Sequence, residues 1–418
     1  MRIAILGAGF TGLSAGLRLQ QKGYQVTIFE KESELGGLAT GFSNPDWRWT
    51  LEKNYHHWFT NDEAVLNLAH ELGHKVIIKR PSTEILINGK CMPFDNVKGL
   101  LLFTPLHLID RLRIGFTLLY LKLIKRYKAL EGKAALPWIR YFMGERATKM
   151  IWEPLFTGKF GPYRDKISLV WFWARIKKRT PKLAYPEGGF KIFSNRIKEE
   201  IIQRGGEVLL NTPVTSISTG KSIRIKADGK IFIFDKAIVT LPSPVFAKIA
   251  TDLPAVYVKK LCSIPHLQAL VLILVLKKPF MKKAYWLNIN DKNFPFLVLA
   301  EHTNFMDPKH YNNQHILYIG NYLPNNHPYL KLSPQKLLKI FDPFLKQINP
   351  NYRSSLIAYH KFTDPFAQPV MLTSYQKLIP GLKTPLKNIY LANLDMVYPW
   401  DRGTNYAVEM GEKIAKII

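Results

Sequence analysis

Residues 2–12 read RIAILGAGFTG, and this stretch decides the fold of the chain. A short apolar run ends in a glycine turn, formed by Gly7, Gly9 and Gly12 with the spacing G-x-G-x-x-G, and a segment with helical spacing follows. A second apolar run, YQVTIFE, ends in Glu30. This order of strand, tight turn, helix, strand and acid is typical of dinucleotide binding. The sequence therefore predicts an α/β fold that begins with a nucleotide-binding βαβ unit.

The glycines and the acid have separate expected tasks. Gly7 permits the turn, Gly9 lets the backbone approach a pyrophosphate, and Gly12 lets the helix pack closely on the strand. The amides and the dipole at the start of the helix favour phosphate. Glu30 follows at roughly the usual interval for a hydrogen bond to a ribose hydroxyl.

Composition narrows the class of function. The net charge of the 418 residues is +28, which favours an anionic partner such as an acidic metabolite or an anionic membrane surface. Nucleic acid is not expected, because neither a paired-cysteine zinc pattern nor a basic heptad array is present. The two cysteines, Cys91 and Cys262, give no disulfide framework and no metal cluster. A cytoplasmic protein, or one peripheral on the inner face of the membrane, is the expectation.

A second glycine pair follows the acid in EKESELGGLATGF (30–42). This motif resembles the flavoprotein family of amine oxidases, protoporphyrinogen oxidases and phytoene desaturases, in which a Gly-Gly turn after the acid wraps the FAD. Leu38 stands where that family commonly has arginine. The resemblance implies FAD as the cofactor. No metal is expected, because the adjacent histidines His56 and His57 point apart and nothing else in the chain supplies further ligands.

Three further stretches carry the resemblance. Residues 205–218 resemble the segment that passes over the adenine and contacts it through Val214. Residues 236–246 resemble the strand that returns the chain to the substrate domain. Residues 388–415 resemble the closing strand, loop and helix that cover the flavin, although Asn393 replaces the usual glycine before Asp395. In the family, the amides at the start of that last helix face the flavin and stabilise negative charge on it.

Together the motifs and the resemblance give one set of expected cofactor contacts. They are Gly7, Gly9, Phe10, Thr11, Gly12, Glu30, Lys31, Gly36, Gly37, Leu38, His56, Val214, Asp395, Arg402, Gly403, Thr404, Asn405 and Tyr406.

The expected architecture is α/β, with a discontinuous Rossmann-like domain that binds FAD or NAD(P) and a mixed α+β substrate domain. The FAD domain comprises 1–80, 185–248 and 382–418. Residues 81–184 form a helical lobe with a candidate membrane contact. Residues 249–381 supply an antiparallel sheet, because runs such as LQALVLILVL and HILYIGNY are strand-like.

The stretch 93–133 alternates apolar runs with charges, and it carries eight Lys or Arg against three acids. No run reaches the roughly 20 apolar residues needed to span a bilayer. Apolar faces with basic flanks suit an interfacial segment. A buried helix pair with surface lysines is the alternative.

Catalytic candidates are His57, Glu301 and Lys159. The adjacent histidines of NYHHWF (54–59) should point to opposite sides, since side chains alternate in an extended chain. We expect His57 to face the flavin or substrate and His56 to lie within the FAD domain. Glu301 could transfer a proton together with His302, or the two could form a structural pair. Lys159 is either functional or a solvated loop lysine.

The predicted activity is that of an FAD-dependent oxidoreductase. A hydrophobic substrate, such as a porphyrinogen, a polyene or other isoprenoid, or an amine, would pass hydride to flavin N5, and oxygen or a quinone would reoxidise the flavin. The alternative is a flavin-dependent isomerase similar to UDP-galactopyranose mutase, whose corresponding segment resembles YHHWFTND (55–62). A flavoprotein without turnover is the third class.

Overall fold

The computed structural model describes all 418 residues, 1–418. Twenty strands form five sheets. The strands are, in chain order, β1 (Arg2–Leu6), β2 (Gln25–Phe29), β3 (Gly41–Phe42), β4 (Leu51–Glu52), β5 (Trp58–Phe59), β6 (Val76–Lys79), β7 (Ser82–Ile87), β8 (Lys90–Pro93), β9 (Leu183–Pro186), β10 (Glu207–Leu209), β11 (Val214–Ser218), β12 (Ile223–Ala227), β13 (Lys230–Phe234), β14 (Lys236–Val239), β15 (His266–Leu276), β16 (Ala284–Ile289), β17 (Val298–Glu301), β18 (His315–Leu323), β19 (Leu356–Pro369) and β20 (Ile389–Leu391).

Helices connect and cover these sheets. They are α1 (Phe10–Gln21), α2 (Glu63–Glu71), α3 (Val97–Leu101), α4 (Leu108–Leu123), α5 (Ala135–Met143), α6 (Glu145–Ala147), α7 (Glu153–Phe160), α8 (Leu169–Lys178), α9 (Phe190–Gln203), α10 (Ser243–Ile249), α11 (Ala255–Leu261), α12 (Pro334–Ile348), α13 (Tyr375–Leu378) and α14 (Thr404–Ile417).

A five-stranded parallel sheet, in the order β10-β2-β1-β14-β20, holds the N-terminal βαβ unit. Ile3 and Ile5 of β1 pack in one core with residues of α1, α9 and α14, whereas Ala4 and Leu6 pack with apolar residues of β11–β13. Both faces are therefore covered, which is why the strand reads as a continuous apolar run. The α/β fold class predicted from the sequence is confirmed.

The strands of this sheet come from separated parts of the chain: 149 residues, 240–388, lie between β14 and β20. A discontinuous domain is consistent with that order. The boundaries 1–80, 185–248 and 382–418 stay a prediction.

A seven-stranded sheet, in the order β19-β15-β18-β17-β16-β7-β8, forms the second layer of the molecule. The predicted strands β15, β17 and β18 pair antiparallel in it. Along β15, Val271 and Ile273 face the core that contains β1, and Leu270 and Leu272 face α12. This sheet therefore joins the nucleotide-binding part to the rest of the chain.

Helices α3–α8 form a lobe beside the seven-stranded sheet and share a core with part of it. The lobe 81–184, which the sequence predicts to be largely helical, begins with two strands, β7 and β8, that extend the sheet. The reason is a partner distant in sequence: β7 pairs parallel with β16, nearly 200 residues away, and local spacing does not reveal such a partner.

Helix α4 is buried on one side only, through residues that include Ile114 and Leu121. Its opposite side exposes a stripe of large apolar residues, with 69% of Ile109 and 70% of Phe116 accessible. Helix α4 is therefore half-buried, and the choice between an interfacial segment and a buried helix pair stays a prediction. No helix in the structure combines the length and the apolar character that crossing a bilayer requires.

Candidate functional site

The first glycine turn lies at the carboxyl end of β1 and accepts only glycine at two positions. Gly7 has a φ of +104°, and a Cβ there would lie 2.6 Å from Thr240 Oγ1. A Cβ on Gly12 would overlap the carbonyl oxygen of Gly7, because α1 begins directly against the turn. The backbone of the turn is thus in direct contact with the backbone at the start of α1, as the glycine spacing predicts.

The start of α1 is buried and has no side-chain cap. Phe10 and Thr11 are 3% and 9% exposed, and no side chain accepts a hydrogen bond from the first turn. The first amides of a helix have no partner within it. A buried, uncapped start of this kind fits an anionic ligand such as a pyrophosphate.

Glu30 closes the turn from the end of β2. Its Oε2 accepts a hydrogen bond from the Ala8 amide at 2.8 Å, and its Oε1 accepts one from the Glu32 amide at 3.1 Å. A carboxylate has about four acceptor sites, so capacity remains for ribose hydroxyls. The Thr212 amide donates to the Glu30 carbonyl at 2.8 Å, which brings the start of β11, with Val214, beside this acid.

Lys31 does not share this arrangement. Its ammonium pairs with Glu32 at 2.9 Å, and 69% of its side chain is exposed. A cofactor contact for Lys31 has no support in this geometry.

The second glycine turn touches the first. Gly36 and Gly37 have φ values of +100° and +58°, and the Gly36 amide donates to the Ala8 carbonyl at 3.0 Å. A Cβ on Gly37 would lie 3.2 Å from Gly9 Cα. Two backbone turns in contact, an uncapped helix start and a fixed acid together fit the phosphates and ribose of a dinucleotide.

The segment NYHHWF links the second turn to the seven-stranded sheet. Asn54 Nδ2 donates to the Leu38 carbonyl at 3.4 Å. Tyr55 packs directly on Gly320 of β18, and its ring meets Trp286 at 5.1 Å between ring centroids. Tyr55 also contacts Tyr318 and Tyr322, and Tyr285 packs on Trp286. We call these five connected side chains the aromatic wall: Tyr55, Tyr285, Trp286, Tyr318 and Tyr322.

The two histidines contact different elements. His56 donates from Nδ1 to the Asn54 carbonyl at 2.7 Å and packs on Phe190, at the start of α9. His57 Nδ1 lies 3.0 Å from the Tyr285 hydroxyl, in the aromatic wall. Burial lowers the pKa of His56 to about 4 and that of His57 to about 3, so both imidazoles are neutral near pH 7.

The closing helix α14 also begins without a side-chain cap. Thr404 accepts a hydrogen bond from Trp58 Nε1 at 2.7 Å, and Asn405 accepts one from the Val65 amide at 3.1 Å. Tyr406 stacks on Trp400. These contacts place the DRGTN turn against β5 and α2, with Gly403 exposed at its tip.

Asp395 is turned inward. Its carboxylate accepts hydrogen bonds from the Ser243 hydroxyl and lies 2.6 Å from His266 Nε2, and only 1% of the residue is exposed. Asn393 caps the same turn by accepting from the Asp395 amide. Both carboxylate oxygens of Asp395 have protein partners, and its contact with the cofactor stays a prediction.

Glu301 is likewise a structural group. It is fully buried and accepts hydrogen bonds from the backbone amides of Phe280 and Met281, at 3.2 and 2.8 Å. His302 pairs with the Tyr311 hydroxyl at 2.7 Å instead of with Glu301. The predicted role of Glu301 in proton transfer is not supported by this placement.

Lys159 is buried, contrary to a solvated loop lysine: 12% of its side chain is exposed. Its ammonium lies over the rings of Trp171 and Tyr322, each at 5.2 Å from the centroid. Asp401 Oδ2, its only carboxylate neighbour, is 3.9 Å away and accepts a hydrogen bond from Arg175 at 2.8 Å. Burial lowers the pKa of Lys159 well below its ordinary value.

Arg402 joins this group from the other side. It donates to the Tyr322 hydroxyl and to the Ala367 carbonyl, and it stacks over the Tyr322 ring at 4.6 Å. We call Lys159, Arg175 and Arg402, with Asp401, the cationic cluster. Arg175 and Asp401 were not among the site residues expected from the sequence; the available signal was that Asp401 is the first residue of the DRGTN turn (401–405).

Comparison with known proteins identifies relatives along the whole chain. The sequence profile of the flavin-containing amine oxidoreductase family matches residues 10–418. A protein from Staphylococcus haemolyticus, a 4,4'-diapophytoene desaturase, is 57% identical over 42 residues, which are 10% of this chain and 8% of that protein. A Synechococcus elongatus protein, assigned as a zeta-carotene desaturase, is 26% identical over 179 residues, 37% of each chain. The matched stretches thus span well under half of these curated relatives.

Solved structures share the fold over the full length. A protein from Exiguobacterium sp., assigned as a protoporphyrinogen oxidase, superposes with a TM-score of 0.77 at 16% identity and covers 100% of this chain and 98% of its own. Cyclohexylamine oxidase from Brevibacterium oxydans gives 0.73, also at 16% identity, with 100% and 98% coverage.

Proposed function

Because the chain belongs to the flavin-containing amine oxidoreductase family and is an FAD-dependent oxidoreductase, we propose that it oxidises a hydrophobic organic substrate at the aromatic wall. FAD, when bound, supplies the acceptor for a hydride that leaves a C–H bond of the substrate. The amides at the start of α1 would hold its pyrophosphate, and Glu30 would hold its ribose.

The aromatic wall is the observation that supports this substrate class. Tyr55 of the segment 54–59 contributes to this wall, and Asn54 of the same segment donates a hydrogen bond to the Leu38 carbonyl, next to the second glycine turn. Aromatic side chains bury large apolar areas and exclude water from a bound ligand. A porphyrinogen, a polyene or other isoprenoid, or an amine with an apolar body has the matching chemistry.

His57 has a defined task in this proposal. In the tautomer whose Nδ1 donates to the Tyr285 hydroxyl, Nε2 has the free lone pair that accepts a proton from the substrate. A neutral imidazole is the form that can accept this proton. The hydride and the proton together account for the two hydrogens lost when a C–C or C–N single bond becomes a double bond.

The test begins with the purified protein and the spectrum of its bound flavin. Under anaerobic conditions, a porphyrinogen, a carotenoid precursor and an amine are each mixed with the protein, and bleaching of the flavin absorbance is followed. We expect one class to bleach it and oxygen or a quinone to restore the colour. A protein that takes up no FAD, or that is bleached by none of the three, would contradict the proposal.

The isomerase remains a second candidate because of the cationic cluster. Arg175 and Arg402, in the cluster that borders the aromatic wall, would hold the diphosphate of a nucleotide sugar. Incubation with UDP-galactopyranose after reduction by dithionite separates the two: turnover there, without bleaching by the three other substrates, would favour isomerisation.

We further propose that the protein docks on an anionic lipid bilayer through the exposed side of the helical lobe. The docking face consists of large apolar residues with more than 40% of their surface accessible: Val97, Leu101, Leu102, Leu108, Ile109, Leu112, Phe116, Leu119, Tyr120, Leu123, Tyr141 and Phe142. An apolar patch of this extent marks an interaction site.

Spacing and charge identify the lipid surface as the partner. On α4 the most exposed apolar residues, Ile109, Phe116 and Leu123, recur every seven positions and so lie along one side of the helix. Arg113 and Lys122 are exposed on the same helix, and positive charge predominates in 93–133. Apolar side chains between basic ones match an anionic headgroup layer above acyl chains.

A further inference from the structure

We propose that the cationic cluster binds an anionic group of the substrate, a carboxylate or a phosphate, beside the flavin site. The inference rests on the proposed oxidation of an organic substrate and specifies its chemistry: an apolar body that carries an oxyanion.

The first step is the charge balance. Arg175 and Arg402 are charged and Lys159 is a third basic side chain, whose pKa burial lowers; Asp401 is the one carboxylate within 4.0 Å of any of them. Arg402 has no carboxylate within that distance. Arg175 is 43% exposed, so water screens it, but Lys159 is largely out of water. Buried charge without a partner is costly, and proteins normally pair it.

Hydrogen-bonding capacity leads to the same conclusion. The Lys159 ammonium donates no hydrogen bond within the protein, and its one carboxylate neighbour, Asp401 Oδ2, is 3.9 Å away, beyond hydrogen-bonding distance. Trp171, whose ring lies under this ammonium, has a buried Nε1 hydrogen without any acceptor. Two donors without acceptors beside one another fit an oxyanion, which offers only acceptors.

Position connects the cluster to the reaction site. The Tyr322 hydroxyl accepts from Arg402 and lies 3.4 Å from the Tyr55 hydroxyl, so the cluster borders the aromatic wall. An anion held at the cluster would place the apolar remainder of the molecule along that wall. The cluster would then act as the anchor that fixes which carbon of the substrate reaches the flavin.

The test uses the FAD-loaded protein, in which the phosphate site at α1 is already filled. Benzoate and phenyl phosphate are the anionic probes, and benzyl alcohol is the neutral one. Calorimetry and the quenching of tryptophan fluorescence, to which Trp171 and Trp400 contribute, report binding. We expect one or both anions to bind about tenfold or more tightly than the alcohol, and the tighter one tells carboxylate from phosphate.

Three variants assign the site. Lys159→Met removes the charge at similar volume and should weaken anion binding about 10-fold or more without changing the affinity for benzyl alcohol. Asp401→Asn removes the competing carboxylate and should strengthen anion binding, an effect that a purely structural cluster does not produce. Lys149→Met, at a 66% exposed lysine, is the control and should change neither.

Several outcomes would overturn the inference. These are equal binding of anions and alcohol, no binding of either anion at millimolar concentration, or unchanged anion affinity in both Lys159→Met and Asp401→Asn. Loss of FAD from the Lys159→Met protein with normal anion affinity would assign the cluster to the cofactor instead. Arg402→Gln replaces any variant that does not fold. Flavin bleaching by substrate is measured on the same samples. Bleaching without selective anion binding means that only this inference fails, and absence of bleaching means that the proposed oxidation fails.

Discussion

Gly37 lies so close to Gly9 that the methyl group of an alanine at position 37 should push the two glycine turns apart. Gly37→Ala adds a Cβ 3.2 Å from Gly9 Cα at a φ of +58°. Gly73→Ala is the matched control, because Gly73 has a φ of +61° but open space around its Cβ position. We expect both variants to lose about 1 kcal/mol of stability from backbone strain, and only Gly37→Ala to lose flavin occupancy, measured as the ratio of flavin to protein absorbance. Equal flavin content would mean that the contact of the turns does not shape the cofactor site.

The adjacent histidines allow a comparison within one segment. His57→Ala should slow flavin bleaching by substrate at least about tenfold, a conservative value for loss of a group that transfers a proton. His56→Ala, which removes the contact with Phe190, should mainly lower flavin content. Since burial lowers the pKa of His57 to about 3, its imidazole should cause no step in the bleaching rate near pH 6.5. Stopped-flow traces from pH 5 to 9 check both points; normal bleaching in His57→Ala would exclude the assigned role.

Glu301 should affect stability without affecting chemistry. Burial raises its pKa from 4.5 to about 8, so the folded protein holds this proton more tightly than the unfolded chain. Its contribution to stability is complete below pH 4.5 and is lost as the pH rises through about 8. Glu301→Gln cannot ionise, and its Tm relative to the native protein should therefore improve from pH 6 to pH 9. Glu63→Gln, at an exposed site, should show no such trend, and a hundredfold loss of bleaching in Glu301→Gln would restore a catalytic role.

Among the elements, α4 is the one in which substitutions should change membrane binding without changing stability, because its exposed side is not part of the core. The double variant Ile109→Asp with Phe116→Asp should abolish sedimentation with vesicles of phosphatidylglycerol while the Tm changes little. Val256→Asp, at a residue 84% exposed on α11, is the control for added charge and should sediment normally. Equal binding to neutral phosphatidylcholine vesicles would contradict the expected dependence on anionic lipid.

The elements also show which structures the sequence could predict. The turn after β1 was predictable, because only glycine tolerates its φ and its contacts, and such constraints are visible in the sequence itself. Strands β15, β17 and β18 were predictable from their apolar β-rich runs. Strand β7 was not, because its hydrogen bonds come from β16, and nothing in residues 82–87 indicates a partner so distant in the chain.

The same physical limit explains the functional site. The cofactor turns lie within residues 7–37 and were predictable, whereas the cationic cluster collects Lys159 from α7, Arg175 from α8 and the pair Asp401 and Arg402 from the C-terminal loop. Each of these charges is ordinary in its own segment. The burial of the cluster, and its excess of basic side chains over carboxylates, arise only when the helical lobe packs against the closing loop.

For the whole molecule, cofactor binding should stabilise every part that packs on the parallel sheet. A ligand that binds only the folded state adds RT ln(1 + [L]/Kd), about 2.7 kcal/mol at a concentration of 100 Kd. Removal of FAD should therefore lower the Tm, and added FAD should raise it in proportion to the logarithm of its concentration. Differential scanning calorimetry of the stripped and reloaded protein measures this. The Gly37→Ala protein is the control, since it should show a smaller shift.

The closing helix has a consequence for how the protein is made. α14 packs on α1 so tightly that a Cβ on Gly411 would lie 2.5 Å from the carbonyl oxygen of Thr11, and β20 completes the sheet that β1 began. The first strand and helix therefore leave the ribosome long before their last partner exists, an interval on the order of tens of seconds at typical rates of synthesis. During this interval β20 is absent, so the parallel sheet of the nascent chain has an unpaired edge strand with which other chains can pair. We expect the flavin to bind only after α14 has been synthesised and has packed on α1.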